Sequence, residues 1–152
     1  MLIPSSMTSS AVTEYLENSN AFILYTHGGW DSSGTYAYLT ENGNSTLHTT
    51  DIYNYVTGTH LDMSNCDIAI FAGCYTAYNS TYNLPLASVH SGANCGVGFA
   101  DGVYCGALST WIEKFSIFYN SGISTELAIE YTNNQTSFYI DSETVIIYAQ
   151  GG

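Results

Sequence analysis

The chain has 152 residues, 45% of them hydrophobic, with one Lys (Lys114), no Arg and 13 acidic residues, for a formal net charge of −12. That length supports one good core and is too short for two, so residues 1–152 read as a single domain. Such a charge repels nucleic-acid phosphates and anionic lipids, which excludes both as partners and favours cationic peptides or divalent ions. No stretch has the apolar length of a membrane span, and the N-terminus lacks the basic flank and apolar block of a signal peptide. Fourteen Tyr among many Ser, Thr and Asn lean the composition towards a secreted or cell-surface protein.

In chain order, Ser10 to Asn18 reads as a helix. The near-continuous apolar run Ala21 to Tyr25, leading into Thr26-His27-Gly28-Gly29, reads as a strand buried on both faces, ending in a reactive side chain. Gly34 to His48 alternates around Asn42-Gly43 as a β-hairpin. Thr50 and Asp51 cap a short helix through Val56, stopped at Gly58. Asp67 to Ala72 is a second buried strand, leading into Gly73-Cys74-Tyr75. Asn83 to Ser91 reads as a crossover helix with Pro85 in its first turn. Ser91 to Asp101 is a third strand. Ala107 to Tyr119 is the clearest amphipathic helix, and Ser124 caps a last one through Tyr131. Thr144 to Ala149 is a closing strand. Strands alternating with helices imply an α/β fold, three layers deep, around a mainly parallel sheet.

Chemistry in open parallel sheets collects at the carboxyl ends of strands. If the strands leading to His27 and Cys74 are neighbours, an imidazole and a thiol emerge side by side as a candidate acid/base and nucleophile. Gly28 and Gly73 permit the close backbone approach that an oxyanion hole of N–H groups requires. The bland reading is an inert buried thiol and a structural histidine.

A strand ending in His-Gly, followed 47 residues later by a strand ending in Cys, resembles the caspase-like (clan CD) cysteine peptidases, closest in look to the CHAT, clostripain and gingipain types. Ser91 to Asp101 looks like their next core strand and Thr144 to Ala149 like their closing strand. The resemblance spans roughly Ala21 to Gly152 and implies a caspase-like α/β/α fold and peptide substrates. It also implies acyl transfer by Cys74 with His27 as acid/base, and an oxyanion hole near Gly28 and Cys74. The family usually has two strands before the His-bearing one, and here only the Ser10 to Asn18 helix precedes it. The chain therefore reads as a trimmed fragment of a longer precursor, or Met1 to Ser9 supply an edge, and a partner segment or dimer contact is expected at the His27 strand.

In relatives that cut after Arg or Lys, an acidic residue near the end of the third strand floors the S1 pocket. Asp101 stands there, with capping of the following helix at Val103 to Gly106 as the alternative. The expectation is an endopeptidase cleaving after basic residues, or else a catalytically silent caspase-like interaction module. The hairpin Thr35 to His48 and the segment after Asp101 are expected as mobile cleft walls.

His48, His60 and His90 have no zinc spacing, so no metal site or cofactor is expected. Calcium is the one alternative, since several relatives bind it and Asp31, Asp51, Asp62 and Asp67 are expected near the active edge. None of them forms an EF-hand loop. Cys66, Cys95 and Cys105 read as buried free thiols, with Cys66 and Cys95 near each other if their strands are adjacent.

Overall fold

A computed structural model describes residues 7–151. The chain opens with α1 (Ser9–Asn18), whose first turn is capped by the Thr8 hydroxyl accepting from the Ala11 N–H. Then come β1 (Ala21–Tyr25), β2 (Gly28–Asp31), β3 (Gly34–Tyr38), β4 (Thr46–His48) and α2 (Thr49–Ile52). They are followed by β5 (Ile68–Ala72), α3 (Leu84–His90), β6 (Cys95–Phe99), α4 (Cys105–Asn120), α5 (Thr125–Thr136) and β7 (Val145–Ala149).

The main sheet has the order β1-β5-β6-β7; β1, β5 and β6 are parallel and β7 is antiparallel to β6. Every residue of β5 and β6 is buried, which is why their sequences show no alternation. Phe71 and Ala69 point to one face, where Val12, Leu16, Leu84 and Ala87 pack on them from α1 and α3. Ile68, Ile70 and Val97 point to the other, covered by Leu108, Trp111 and Phe115 of α4 and by Ala128 and Ile129 of α5. The result is a three-layer α/β/α arrangement with a mostly parallel central sheet.

β2, β3 and β4 form a separate antiparallel sheet. The hairpin is present, but the expected strand over Ala21 to Gly29 breaks after Tyr25, and Gly28 begins β2, a strand that pairs with β3 instead. One face of this small sheet carries Ala37 and Leu47 into the core; the other holds Tyr36 and His48 outward. Leu39 and Leu47 are fully buried, so the hairpin is anchored to the core and does not form a mobile wall over its whole length.

Two helices end elsewhere than expected. α2 stops at Ile52: its cap is His48, whose ring nitrogen accepts from the Thr50 N–H while the Asp51 carboxylate accepts from the His48 N–H. Tyr53 then turns extended and bridges to His60, on whose ring its own ring stacks at 5.3 Å. α5 runs past Tyr131 to Thr136, because Thr132 and Thr136 donate to carbonyls one turn back and Asn133 accepts from the Trp111 indole.

Among the described residues β1 is the outer strand of the main sheet. The edge expected from Met1 to Ser9 lies outside the described residues for positions 1–6, and Ser9 itself belongs to α1.

Candidate functional site

Three parallel strands end at the same edge, and each puts a side chain with usable chemistry two residues beyond its last position: His27 after β1, Cys74 after β5, Asp101 after β6. The loops interlock through backbone. Thr26 N–H donates to the Ala72 carbonyl at 3.1 Å, and Tyr75 N–H donates to the Asp101 carbonyl at 3.2 Å.

Gly28 and Gly73 lie where the His and Cys loops cross. A Cβ on Gly73 would sit 2.6 Å from the Thr26 carbonyl oxygen and 3.3 Å from the Gly28 nitrogen, and a Cβ on Gly28 would run into the carbonyl oxygen of Cys74. No side chain fits between these segments.

The Gly28 and Cys74 N–H groups are both left over at this crossing. Tyr38 N–H donates to the His27 carbonyl at 2.8 Å, so residues 27 and 38 form a hydrogen-bonded pair of the antiparallel ladder. The next pair, Gly28 with Ala37, is then a non-hydrogen-bonded one, and the Gly28 N–H faces away from β3, on the side where Gly73 lies. The Cys74 N–H has no hydrogen-bond partner among the described residues. Backbone donors without intramolecular acceptors, next to a thiol, are what an oxyanion requires.

The thiol is half-buried. Its sulfur lies against the backbone of Val103, accepting from the N–H at 3.2 Å and 3.3 Å from the carbonyl. The His27 imidazole is exposed and has no hydrogen-bond partner among the described residues; in particular it is not bonded to the sulfur. Asp101 is also exposed. It does not cap α4, whose N-cap is Tyr104 with no side-chain capping bond, so the capping alternative is excluded. The segment after Asp101 does border the thiol, through Val103.

Sequence reasoning missed two supports. Thr76, fully buried, spans the Phe71 and Gly73 carbonyls with its hydroxyl at 2.7 and 3.1 Å and accepts from the Phe99 N–H, while its own carbonyl accepts from Thr35. It ties the Cys74 turn to β3, β5 and β6 at once. Nothing local marks such a hydroxyl in a sequence. Tyr75 has φ +62°, a left-handed conformation uncommon for an aromatic residue and held here by its N–H bond to Asp101.

The acidic residues expected beside this edge do not gather. Asp67 precedes β5 and its N–H bonds to Asn20, and Asp62 bonds Ser64 and lies against Glu17 of α1, so both belong to the opposite edge of the sheet. Asp51 caps α2 and Asp31 bonds Ser33 and His48. Among the described residues no group of three or more His, Cys, Asp or Glu is placed to hold a metal ion.

The remaining cysteines divide. Cys66 and Cys95 are buried, and burial first of all pushes each thiol up to about 11. Cys105, expected to be buried, is exposed at the start of α4, because the first turn of that helix stands clear of the core. None of the four is in a disulfide. No known protein family model matches the chain, and no curated protein matches it either.

Proposed function

We propose that this chain is a cysteine endopeptidase using a Cys74–His27 dyad. One observation carries the reading: parallel neighbours β1 and β5 deliver an imidazole and a thiol to one sheet edge, where the Gly28 and Cys74 N–H groups are free of backbone acceptors. The Cys74 thiol passes its proton to His27 as the sulfur attacks the scissile carbonyl carbon, whose oxygen takes up negative charge opposite those N–H groups. The C–N bond breaks as His27 delivers a proton to the leaving amine. Water then attacks the thioester, releasing the acid and restoring the thiol. No cofactor enters these steps.

Asp101 supports cleavage after Arg or Lys: an exposed carboxylate beyond β6, two residues from the Val103 backbone that contacts the sulfur, pairs well with a guanidinium or ammonium. The caspase-like resemblance agrees with this chemistry. β1 is the outer strand of the main sheet among the described residues, and its edge is where a partner segment or a second copy would pair, which a solution mass above that of one chain would support.

The test is labelling by a peptide chloromethyl ketone with Arg at P1, followed by intact mass. The expected result is one adduct on the chain and none on Cys74→Ala. Cys105→Ala must retain the adduct, because Cys105 is the other thiol open to solvent. A chain that hydrolyses no peptide and takes no adduct at Cys74 refutes the dyad. That outcome would favour the second reading, a silent interaction module of the same fold, which the turn of the Cys74 sulfur towards Val103 favours.

A further inference from the structure

Beside the dyad runs a strip of aromatic rings that core packing does not account for. Trp30 leaves β2 three residues after His27, on the same face as Gly28, and stacks on Tyr78 with ring centroids 4.8 Å apart and planes at 24°. Tyr78 in turn meets Tyr75 edge-on at 5.9 Å. The left-handed backbone at Tyr75 carries its ring over Gly102, where a Cβ would lie 3.3 Å from the phenol oxygen. The strip therefore spans the site, from the strand that follows His27, through the loop after Cys74, to the residue next to Asp101.

Trp30 is 51% exposed and Tyr78 50%, although the other residues on that face of the small sheet, Thr35 and Ala37, are fully covered. A stacked Trp–Tyr pair left half in water at the edge that carries His27 and Cys74 is a surface suited to take a ligand. Three features decide the chemistry of that ligand. The two stacked rings are half-exposed, so an aliphatic side chain laid on them would cover one face only and gain little. Aromatic faces are electronegative and attract a planar guanidinium both by stacking and by charge. And the chain's excess of 13 carboxylates over one lysine, with Asp101 at one end of the strip, raises the local concentration of cations.

We infer that Trp30 and Tyr78 form a substrate subsite for a second cationic side chain, flanking the residue at the scissile bond. The substrates are thus peptides carrying at least two basic residues close together. This rests on the proposed peptidase reading for the direction of the peptide, and its test is independent of turnover.

The Cys74→Ala chain is titrated calorimetrically with short peptides that hold Arg at P1 and carry either Arg or its neutral isostere citrulline at each flanking position in turn. At one position the Arg peptide should bind about 3- to 30-fold more tightly than its citrulline twin. Trp30→Leu and Tyr78→Leu, each in the Cys74→Ala background, should bring that ratio to within about twofold of one, and Trp30→Phe should keep most of it. Two half-exposed positions guard against misfolding in either variant. Equal binding of all Arg and citrulline pairs, or discrimination that survives both Leu variants, overturns the subsite. Adduct formation and hydrolysis at Cys74 without this discrimination would leave the peptidase standing and the subsite refuted; discrimination without hydrolysis would do the reverse.

Discussion

The two edges of the main sheet carry the same residue types in opposite conditions. At the amino edge, Asp67 N–H bonds Asn20, Asn94 N–H bonds Cys66, the Asn94 amide bonds the Asp67 carboxylate, and Gln150 closes on Asn94 and Val89. Its cysteines, Cys66 and Cys95, are buried and held neutral. At the carboxyl edge the cysteines are half-buried or exposed, an imidazole and a carboxylate stand free, two N–H groups lack backbone acceptors, and an aromatic residue is held left-handed. Closed hydrogen-bond accounts build a scaffold; the groups left open at one edge are where a substrate can supply the missing partners.

The sharpest way to break this comparison is at the dyad. Cys74→Ala should remove peptide hydrolysis by at least about 10³-fold, and His27→Ala by about 10² to 10⁴, the range general acid–base groups contribute. Melting temperatures should move by no more than a few degrees, because neither side chain fills core volume. Residual turnover above a tenth of the parent rate in either variant contradicts the assignment.

The crossing glycines come next. Gly73→Ala places a methyl 2.6 Å from the Thr26 carbonyl, which must move, so the variant should lose about 1–3 kcal/mol in denaturant unfolding and at least tenfold in kcat/KM. Gly106→Ala is its counterpart: that position lies in the first turn of α4 with nothing within 4 Å of an added Cβ, and the change should stabilise by about 0.5–1 kcal/mol with activity intact. If both substitutions behaved alike, the contact at the crossing would not be structural.

Thr76 links the two regions, since its hydroxyl fixes the carboxyl-edge turn from inside the core. Thr76→Val keeps the shape and removes the hydroxyl, taking a bond from the Phe99 N–H and the Gly73 carbonyl in a buried place while the Phe71 carbonyl keeps the Gly73 N–H, at a cost of about 1–3 kcal/mol. A larger fall in kcat than in KM is expected, because the turn that carries Cys74 loosens while the surrounding binding surface persists.

At the amino edge the two buried thiols make alkaline stability the readout. Each has its folded pKa raised, so the unfolded chain releases these protons first as pH climbs, and their contribution is whole below about pH 9 and lost on the way to about 11. The loss should be on the order of 2 kcal/mol per thiol, and Cys66→Ala should flatten the decline between those pH values. At pH 8, iodoacetamide should modify Cys74 and Cys105 and spare Cys66 and Cys95 until the chain unfolds.

How legible these edges were in the sequence varies by residue. β5 and β6 could be read because full burial leaves an unbroken apolar run, and α4 because its apolar residues keep the helical period. β2 could not: Gly28-Gly29-Trp30-Asp31 has neither alternation nor β-branched residues, and only pairing with β3 makes it a strand. Asp67 does not lie beside Cys74, and the sequence carries the reason: a residue immediately before Ile68 must lie where that parallel strand begins, at the opposite end from the thiol. His27 and Cys74 were legible as strand-end positions. Thr76, the Trp30–Tyr78 stack and the direction of the Gly28 N–H depend on contacts between segments far apart in the chain and leave no local mark.

The smallest expected effect concerns a cluster that mimics a catalytic site. Ser33, His48 and Asp31 have the composition of a nucleophilic triad and lie together on the small sheet. In a working triad the nucleophile and the carboxylate occupy different ring nitrogens. Here both approach Nε2, at 3.4 Å from Ser33 and 3.1 Å from Asp31, while Nδ1 caps α2. The arrangement is a helix cap and a surface hydrogen bond from the ring to the Asp31 carboxylate. Burial raises the Asp31 carboxyl, but the bonds from Ser33 and His48 outweigh it and leave the group below its ordinary value. Its small contribution is therefore present above the normal carboxylate range and fades as pH falls through the lowered folded value. Half-exposed as Asp31 is, Asp31→Asn should cost well under about 1 kcal/mol at pH 7. Ser33→Ala should leave peptide hydrolysis and its pH profile unchanged. A loss of turnover in Ser33→Ala comparable to that in Cys74→Ala would move the chemistry from the sheet edge to this cluster.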